Sequence, residues 1–144
     1  MRRLLIRGAG EVGSAIARCA FREGYAVLVQ DVAVPLTSRR RMAFSDALFD
    51  GEAVLDGVLA RRIDRVAGCM TDRSFVAICC LPLEECLAAF APDVLIDARM
   101  RKRVVPESQR GLAPLVIGVG PNFTAGGQVH LAVESAYGEA LGTV

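Results

Sequence analysis

The sequence has little of what metal sites and nucleic-acid surfaces need. It contains one histidine, His130, and its five cysteines form no C-x-x-C pair, so no zinc-binding pattern is present. Basic and acidic residues nearly balance, at 17 and 16, which leaves a formal net charge of +1. This balance excludes the strongly basic surface typical of nucleic-acid-binding proteins. We therefore expect no metal site and no nucleic-acid partner.

An export signal and a membrane span are also missing. The apolar run after Arg2 and Arg3 ends at Arg7, which is shorter than the roughly 7–15 apolar residues of a secretory signal. Residues 111–133 carry no charged side chain, but their prolines and glycines predict a strand and a glycine-rich loop. We expect a cytoplasmic protein with no membrane segment.

The five cysteines are Cys19, Cys69, Cys79, Cys80 and Cys86. In a cytoplasmic protein this usage is typical of reduced thiols that serve as small apolar side chains. Cys79 and Cys80 end an apolar run, and strand ends in α/β sheets often line a site. A catalytic or sulfur-carrying role for these two cysteines stays open as an alternative.

Apolar runs alternate with helical segments along a chain that is 53% apolar. The patterns predict strands at residues 3–7, 26–30, 74–80, 94–97 and 115–119, and helices at residues 10–23, 45–49, 63–70, 83–90 and 127–137. Asp56-Gly57 between two short apolar runs predicts a β-hairpin at about residues 52–62. We expect a single domain over residues 1–144, with an open, mostly parallel, doubly wound α/β sheet of Rossmann-like type and the hairpin inserted after the second strand.

Gly8, Gly10 and Gly13 form a G-x-G-x-x-G turn between the first apolar run and a helical segment. In dinucleotide-binding folds the first glycine permits a tight turn, the second lets the backbone approach a pyrophosphate, and the third lets helix and strand pack closely. The phosphates then lie at the positive end of the helix. The whole turn therefore supplies candidate cofactor-binding residues: Gly8, Ala9, Gly10, Glu11, Val12 and Gly13.

Asp31 ends the second apolar run, 21 residues after Gly10. An acid at this offset binds a ribose 2′-hydroxyl and repels a 2′-phosphate, so the sequence favours NAD over NADP. The arginines at positions 39–41 partly offset that preference. The alternative is a generic strand–helix turn that holds no ligand.

Asp97 and the segment Gly118–Gly120 follow later apolar runs, at the carboxyl edge where open α/β sheets bind ligands. Asp97 either contacts a ligand or caps the next loop by accepting hydrogen bonds from its N–H groups. The basic residues after it either hold phosphates or form a solvated loop; they are Arg99, Arg101, Lys102 and Arg103.

A longer pattern runs through the chain in a fixed order. Its pieces are Arg7–Gly10, Pro92–Ala98, Pro114–Gly126, Gln128-Val129-His130 and Val133-Glu134-Ser135. This order resembles the YqeB-type accessory proteins of selenium-dependent molybdenum hydroxylase systems. More distantly, it is similar to the nucleotide-binding domain of XdhC-like xanthine dehydrogenase accessory factors.

The resemblance implies a factor that prepares molybdenum hydroxylases, with a molybdenum-cofactor-type pterin as a second ligand class and a molybdenum hydroxylase as partner. Carried over by position, the residues around the ligand are Gly8, Gly10, Asp97, Gly118, Gly120, Thr124, Gly126 and His130. Asn122 departs from the family pattern, where glycine is frequent. For His130, a hydrogen bond to the loop backbone is the alternative to ligand contact.

We therefore predict a nucleotide- or dinucleotide-binding accessory domain for molybdenum hydroxylase maturation, with NAD or NADP as cofactor and a homodimer as its assembly. The sequence shows no complete acid–base or nucleophilic set, so an accessory role is favoured over a stand-alone enzyme. Two alternatives remain. One is an NAD-sensing module of the kind that regulates potassium transport, and the other is a small NAD-dependent oxidoreductase.

Overall fold

A computed structural model describes residues 1–67 and 72–134. The strands of this part are β1 (Arg3–Arg7), β2 (Ala26–Gln30), β3 (Glu52–Leu55), β4 (Val58–Arg62), β5 (Val76–Cys79), β6 (Val94–Asp97), β7 (Leu115–Val119) and β8 (Leu131–Val133). Its helices are α1 (Glu11–Arg22), α2 (Asp46–Asp50) and α3 (Leu83–Phe90).

The described strands form one sheet in the order β3-β4-β5-β2-β1-β6-β7-β8. Only the β3–β4 pair is antiparallel within this sheet. From β1 the chain builds outward to β2 and β5 on one side, and then to β6, β7 and β8 on the other. The order therefore reverses between β1 and β6, which is the switch point where such sheets open a crevice. The predicted Rossmann-like α/β fold is confirmed.

The alternation of apolar side chains along the strands builds two cores. Leu4 and Ile6 of β1 point to one face, where α1 and α2 cover them, and Leu5 points to the other face, beneath α3. Because the central strands are buried on both faces, they consist of nearly unbroken apolar residues. Helices on both faces make the sheet doubly wound, as the sequence predicts.

The predicted hairpin is present and joins the main sheet. Asp56 and Gly57 both have positive φ, at 47° and 77°, as a type I′ turn requires. β4 lies parallel to β5, so the hairpin extends the sheet instead of projecting from it. Arg22 of α1 approaches the Asp56 carboxylate to 3.0 Å and ties the turn to the helix.

Two predicted helices are wrong in the described residues. Residues 131–133 of the predicted helix 127–137 are β8, which pairs with β7 through bonds such as His130 N–H to Val116 O (2.9 Å); residues 135–137 lie outside the described part. Residues 63–67 of the predicted helix 63–70 are irregular, and residues 68–70 lie outside the described part. Ile63 N–H donates to Ile78 O (2.8 Å), so pairing along β5 replaces the first helical bonds.

One face of the β6–β7 half has less cover from the described residues. A groove of about 540 Å³ runs between α1 and these strands. Ile16 and Ala20 line it from the helix, and Val94, Ile96 and Ile117 line it from the sheet. In the described part, no helix is long and apolar enough to cross a membrane.

Candidate functional site

Gly8 and Gly13 are required by the geometry of the turn itself. Gly8 has φ +104°, and a Cβ there would lie 2.8 Å from the Ala98 carbonyl oxygen. A Cβ on Gly13 would lie only 1.9 Å from the Gly8 carbonyl oxygen. The turn therefore folds tightly onto both α1 and the end of β6, and any side chain at either position would force backbone apart.

Gly10 has no such requirement. Its φ and ψ of −67° and −173° are open to any residue, and a Cβ there would meet no atom within 4 Å. Gly10 is the N-cap of α1, and no side chain caps the helix at this point. The unfilled space therefore lies directly at the positive end of the helix, where anions bind favourably.

Asp31 is held in place by backbone N–H groups. Its Oδ2 accepts a hydrogen bond from Ala9 N–H and its Oδ1 accepts one from Val32 N–H, both at 2.7 Å. Because each carboxylate oxygen has two lone pairs, the half-buried group keeps acceptor capacity for a further donor. The sequence-predicted acid and glycine turn are thus joined directly.

Further hydrogen bonds to the glycine turn come from Ser14 of α1 and from the loop after β2. Ser14 donates its hydroxyl to Ala9 O (3.0 Å) and accepts from Phe44 N–H (2.8 Å), and Ser45 N–H also donates to Ala9 O (3.1 Å). Together with the Ala9 N–H bond to Asp31, these bonds satisfy both backbone polar groups of Ala9. The protein's own hydrogen bonds therefore hold the turn in this conformation.

Two cavities lie along the carboxyl edge of the sheet. The first, of about 420 Å³, is lined by Gly8, Gly10, Val12, Asp31, Val32, Leu36, Ala98, Arg99, Met100 and Arg101. The second, of about 660 Å³, is lined by Val12, Met100, Lys102, Val119, Gly120, Pro121, Val133 and Glu134. Val12 and Met100 belong to both linings, so the cavities are neighbours on either side of these two side chains.

Asp97 anchors the loop that forms the other wall. Its Oδ1 accepts hydrogen bonds from Arg99 N–H (3.1 Å) and Arg99 Nε (2.9 Å), and its Oδ2 accepts from Arg99 Nη2 (2.5 Å) and Gln109 Nε2 (2.7 Å). The carboxylate is 1% exposed. Burial raises the pKa of Asp97, but the bonds from Arg99 and Gln109 outweigh it, so the pKa lies below its ordinary value.

Glu107 joins Arg99 and Arg101 of the same loop to Arg7 at the end of β1. Its Oε1 accepts from Arg7 Nη1 (2.9 Å) and Arg99 Nη2 (2.8 Å), and its Oε2 accepts from Arg101 Nη2 (2.7 Å). Although burial raises its pKa, bonds from Arg101 and Arg99 hold the pKa of Glu107 far below its ordinary range. Arg7 also donates to Gln109 Oε1 (2.7 Å).

We name this set the charged loop network: Arg7, Asp97, Arg99, Arg101, Glu107 and Gln109. Three guanidinium groups face two carboxylates in it, so it carries a surplus positive charge next to the first cavity. Sequence reasoning missed Arg7, Glu107 and Gln109. The sequence contained one signal, which is the charge of Arg7 at the end of an apolar run. In the sheet, Arg7 at the end of β1 pairs in register with Asp97 at the end of β6.

Glu11 lies at the start of α1 and does not line either cavity. It forms a two-point ion pair with Arg39, whose Nη2 lies 2.8 Å from Oε1 and 2.9 Å from Oε2. Arg39 thus neutralises a carboxylate at the helix end where phosphates would bind. Its guanidinium is committed to that pair in the structure.

Gly118 in β7 and Gly120 just after it, both predicted site residues, have packing reasons of their own. A Cβ on Gly118 would lie 2.3 Å from the Phe123 ring, and one on Gly120 would lie 2.8 Å from the Met100 sulfur. Gly120 lines the second cavity. Gly118 is buried under Phe123 and lines neither cavity.

Three other predicted site residues lie away from the two cavities. Thr124 accepts Gly127 N–H at its carbonyl (3.0 Å), and Gly126 accepts Arg110 Nη1 at its carbonyl (2.6 Å). The Nδ1 of His130 accepts Val116 N–H (2.9 Å) near the amino end of β7. His130 therefore bonds to the backbone of β7, and not to the loop backbone that the sequence left open as the alternative.

The described residues contain no group of three histidine, cysteine, aspartate or glutamate side chains placed to bind a metal ion. Among the described cysteines, Cys79 and Cys86 are buried, Cys80 is half-buried and Cys19 is exposed, and all four are thiols. Neither cavity is lined by Cys79 or Cys80.

The fold and its crevice define a Rossmann-like α/β domain with a glycine turn at the switch point. Over 143 residues, or 98% of the chain, the sequence is 34% identical to the uncharacterized protein YqeB of Escherichia coli (strain K12). The chain spans 26% of the length of that relative. No protein-family model and no solved structure matches the chain. The similarity to YqeB confirms that part of the resemblance, and the accessory role stays a prediction.

Proposed function

We propose that the chain binds a dinucleotide in the crevice at the carboxyl edge of the sheet, with NAD favoured over NADP. The observation that carries the proposal is the open space at Gly10. Gly8 and Gly13 are explained by packing, whereas Gly10 serves no packing or conformational need of the protein. A pyrophosphate bound at the N-terminus of α1 would explain the glycine at position 10, because the phosphates must approach the backbone closely.

The two cavities support a dinucleotide over a mononucleotide. One nucleoside would occupy the first cavity, with its ribose hydroxyls against Asp31 and its base between Leu36 and Ala98. The other half would occupy the second cavity, beyond Val12 and Met100. The pyrophosphate would then bridge them beside Gly10.

The charges around the crevice suit the same ligand. Arg99 and Arg101 outnumber Asp31 in the first cavity, which favours a ligand with negative charge, whereas Lys102 and Glu134 balance each other in the second. Asp31 lies at the edge of the first cavity, where a 2′-phosphate would be repelled. Arg39 does not counter this repulsion in the structure, because Glu11 holds it.

The cellular role that we propose is that of an accessory domain in molybdenum hydroxylase maturation. This role rests on the sequence resemblance and not on the geometry of the crevice. Co-purification of the tagged chain with a molybdenum hydroxylase, or binding of a pterin nucleotide, would support it. A ligand-dependent change in oligomeric state without such a partner would favour the NAD-sensing alternative.

The ligand proposal is tested by calorimetric titration with NAD, NADP, ADP, CTP and a pterin nucleotide. We expect saturable NAD binding, weaker NADP binding, and a loss of about tenfold or more in NAD affinity for Gly10→Val. Gly111→Val is the matched control, since a Cβ at Gly111 also meets no atom within 4 Å but lies outside both cavities. Equal NAD affinity of Gly10→Val and wild type, or no binding of any dinucleotide, would overturn the proposal.

A second variant checks the role of the acid. Asp31→Asn keeps acceptor capacity for the Ala9 N–H bond but removes the negative charge. We expect its preference for NAD over NADP to shrink, because the repulsion of a 2′-phosphate is lost. An unchanged ratio of the two affinities would place the ribose away from Asp31.

A further inference from the structure

Two buried thiols meet behind the crevice. Cys79 is the last residue of β5 and Cys86 lies in α3, and both are 0% exposed. Their Sγ atoms are 3.6 Å apart. A disulfide bond has an S–S length of about 2.0 Å, so the two sulfurs need to approach by only about 1.5 Å.

The pair is also poised chemically. The hydrogen bond with Cys86 lowers the pKa of the Cys79 thiol, while burial opposes this change. A thiolate is the form of cysteine that reacts with peroxides, so the lowered pKa of Cys79 suits it to the first attack. Cys86 is then within reach to resolve the product.

We propose that Cys79 and Cys86 form a redox-modification site, in which a hydroperoxide such as hydrogen peroxide joins them in an intramolecular disulfide. The Cys79 thiolate attacks one peroxide oxygen, which breaks the O–O bond and gives a sulfenic acid, and the leaving hydroxide takes up the proton lost by the thiol to become the first water. The Cys86 sulfur then attacks the Cys79 sulfur, which forms the S–S bond and breaks the S–O bond, and the hydroxyl leaves with the Cys86 proton as the second water. Two thiols and one peroxide thus give one disulfide and two waters.

Access to the buried pair would require local opening of α3. α3 has eight residues, and its N-cap Pro82 provides no side-chain cap bond. Local opening of such an element admits a small, uncharged oxidant without global unfolding. The half-buried Cys80 and the exposed Cys19 lie outside the pair and serve as internal controls.

The bond would act on the crevice through the backbone. The Cys79 carbonyl accepts Asp31 N–H (3.0 Å), and Cys79 pairs with Gln30 in the register of β2 and β5. Pulling Cys79 toward α3 therefore moves the segment that positions the Asp31 carboxylate. This consequence rests on the proposed dinucleotide site, whereas the disulfide itself does not.

The experiment treats the folded chain with hydrogen peroxide, blocks remaining thiols, and measures tryptic peptides by mass. Cys79, Cys80 and Cys86 lie on one peptide, residues 74–99, because no arginine or lysine separates them. We expect this peptide to lose the mass of two hydrogens in wild type and in Cys80→Ser. The loss should disappear in Cys79→Ser and in Cys86→Ala, two different substitutions chosen so that a folding defect in one leaves the other informative.

The result that would overturn the proposal is oxygen added to Cys79 or Cys86 without a bond between them, a bond that requires Cys80, or both thiols left unreacted. Titration with NAD before and after oxidation gives the second readout. We expect NAD affinity to fall about fivefold or more in the oxidised form. If the disulfide forms with NAD affinity unchanged, the link to Asp31 is overturned. If neither form binds NAD, the dinucleotide site fails, and the peptide masses still decide the disulfide.

Discussion

The two walls of the crevice are held by different forces. The glycine turn at residues 8–13 is shaped by close backbone contacts, in which missing side chains allow β1, α1 and the end of β6 to meet. The charged loop network on the other wall is shaped by ion pairs and hydrogen bonds among long side chains. We call the first the steric wall, because it depends on steric fit, which pH does not change. We call the second the charged wall, because it depends on charge, which pH does change.

The steric wall is broken most severely at Gly13. In Gly13→Ala the new Cβ would lie 1.9 Å from the Gly8 carbonyl oxygen, so backbone must move. We expect a loss of about 4 kcal/mol or more in the free energy of unfolding, independent of pH. Urea unfolding followed by circular dichroism measures it, with Gly111→Ala as the control that should stay near wild type. A small loss at Gly13 would mean that the turn is not held by this contact.

The charged wall is broken at Asp97. Asp97→Asn keeps the shape of the buried side chain but removes the charge that pairs with the half-buried Arg99. We expect a loss of about 1–3 kcal/mol in the free energy of unfolding at neutral pH, since a charged group loses its partner. Asp64→Asn, on an exposed side chain with an ion-pair distance of 3.7 Å, is the control and should have almost no effect.

In the wild type, acid should remove the contribution that the charge of Asp97 makes to the free energy of unfolding. The pKa of Asp97 in the folded chain lies below its ordinary value of 3.8, so the stabilisation is complete above that value and is lost as the pH falls through the folded pKa. The gap between wild type and Asp97→Asn should therefore narrow as the pH drops below about 4. Urea unfolding at several pH values measures the gap, and a constant gap would contradict the assigned charge of Asp97.

The smallest change in stability is expected at Gly10. Asparagine is a favourable N-cap residue, and the site of its Cβ is open, so Gly10→Asn should leave the free energy of unfolding within about 0.5 kcal/mol of wild type. The stabilisation that NAD gives to the wild type in a thermal-shift assay should be lost. A large loss of stability without ligand would instead assign Gly10 a structural role like that of Gly13.

The sequence predicted the steric wall better than the charged one for a physical reason. Gly8, Gly13 and Asp31 belong to one strand–helix–strand unit, so local spacing determines how they meet. The charged wall forms only after β6 is placed beside β1, which brings together Arg7, Glu107 and Gln109. No local sequence pattern predicts this contact. The same limit applies to β8, where pairing with β7 overrides the helical pattern of residues 127–133.

The separation between Arg7 and Gln109 also has a consequence for the time course of folding. Their hydrogen bond joins residues 102 positions apart, so it closes one of the longest loops in the chain. Long-range contacts of this kind form late, after local units have assembled. We expect Gln109→Ala to raise the unfolding rate in stopped-flow experiments while leaving the refolding rate nearly unchanged. The charged wall would then be the last part of the crevice to assemble and the first to come apart.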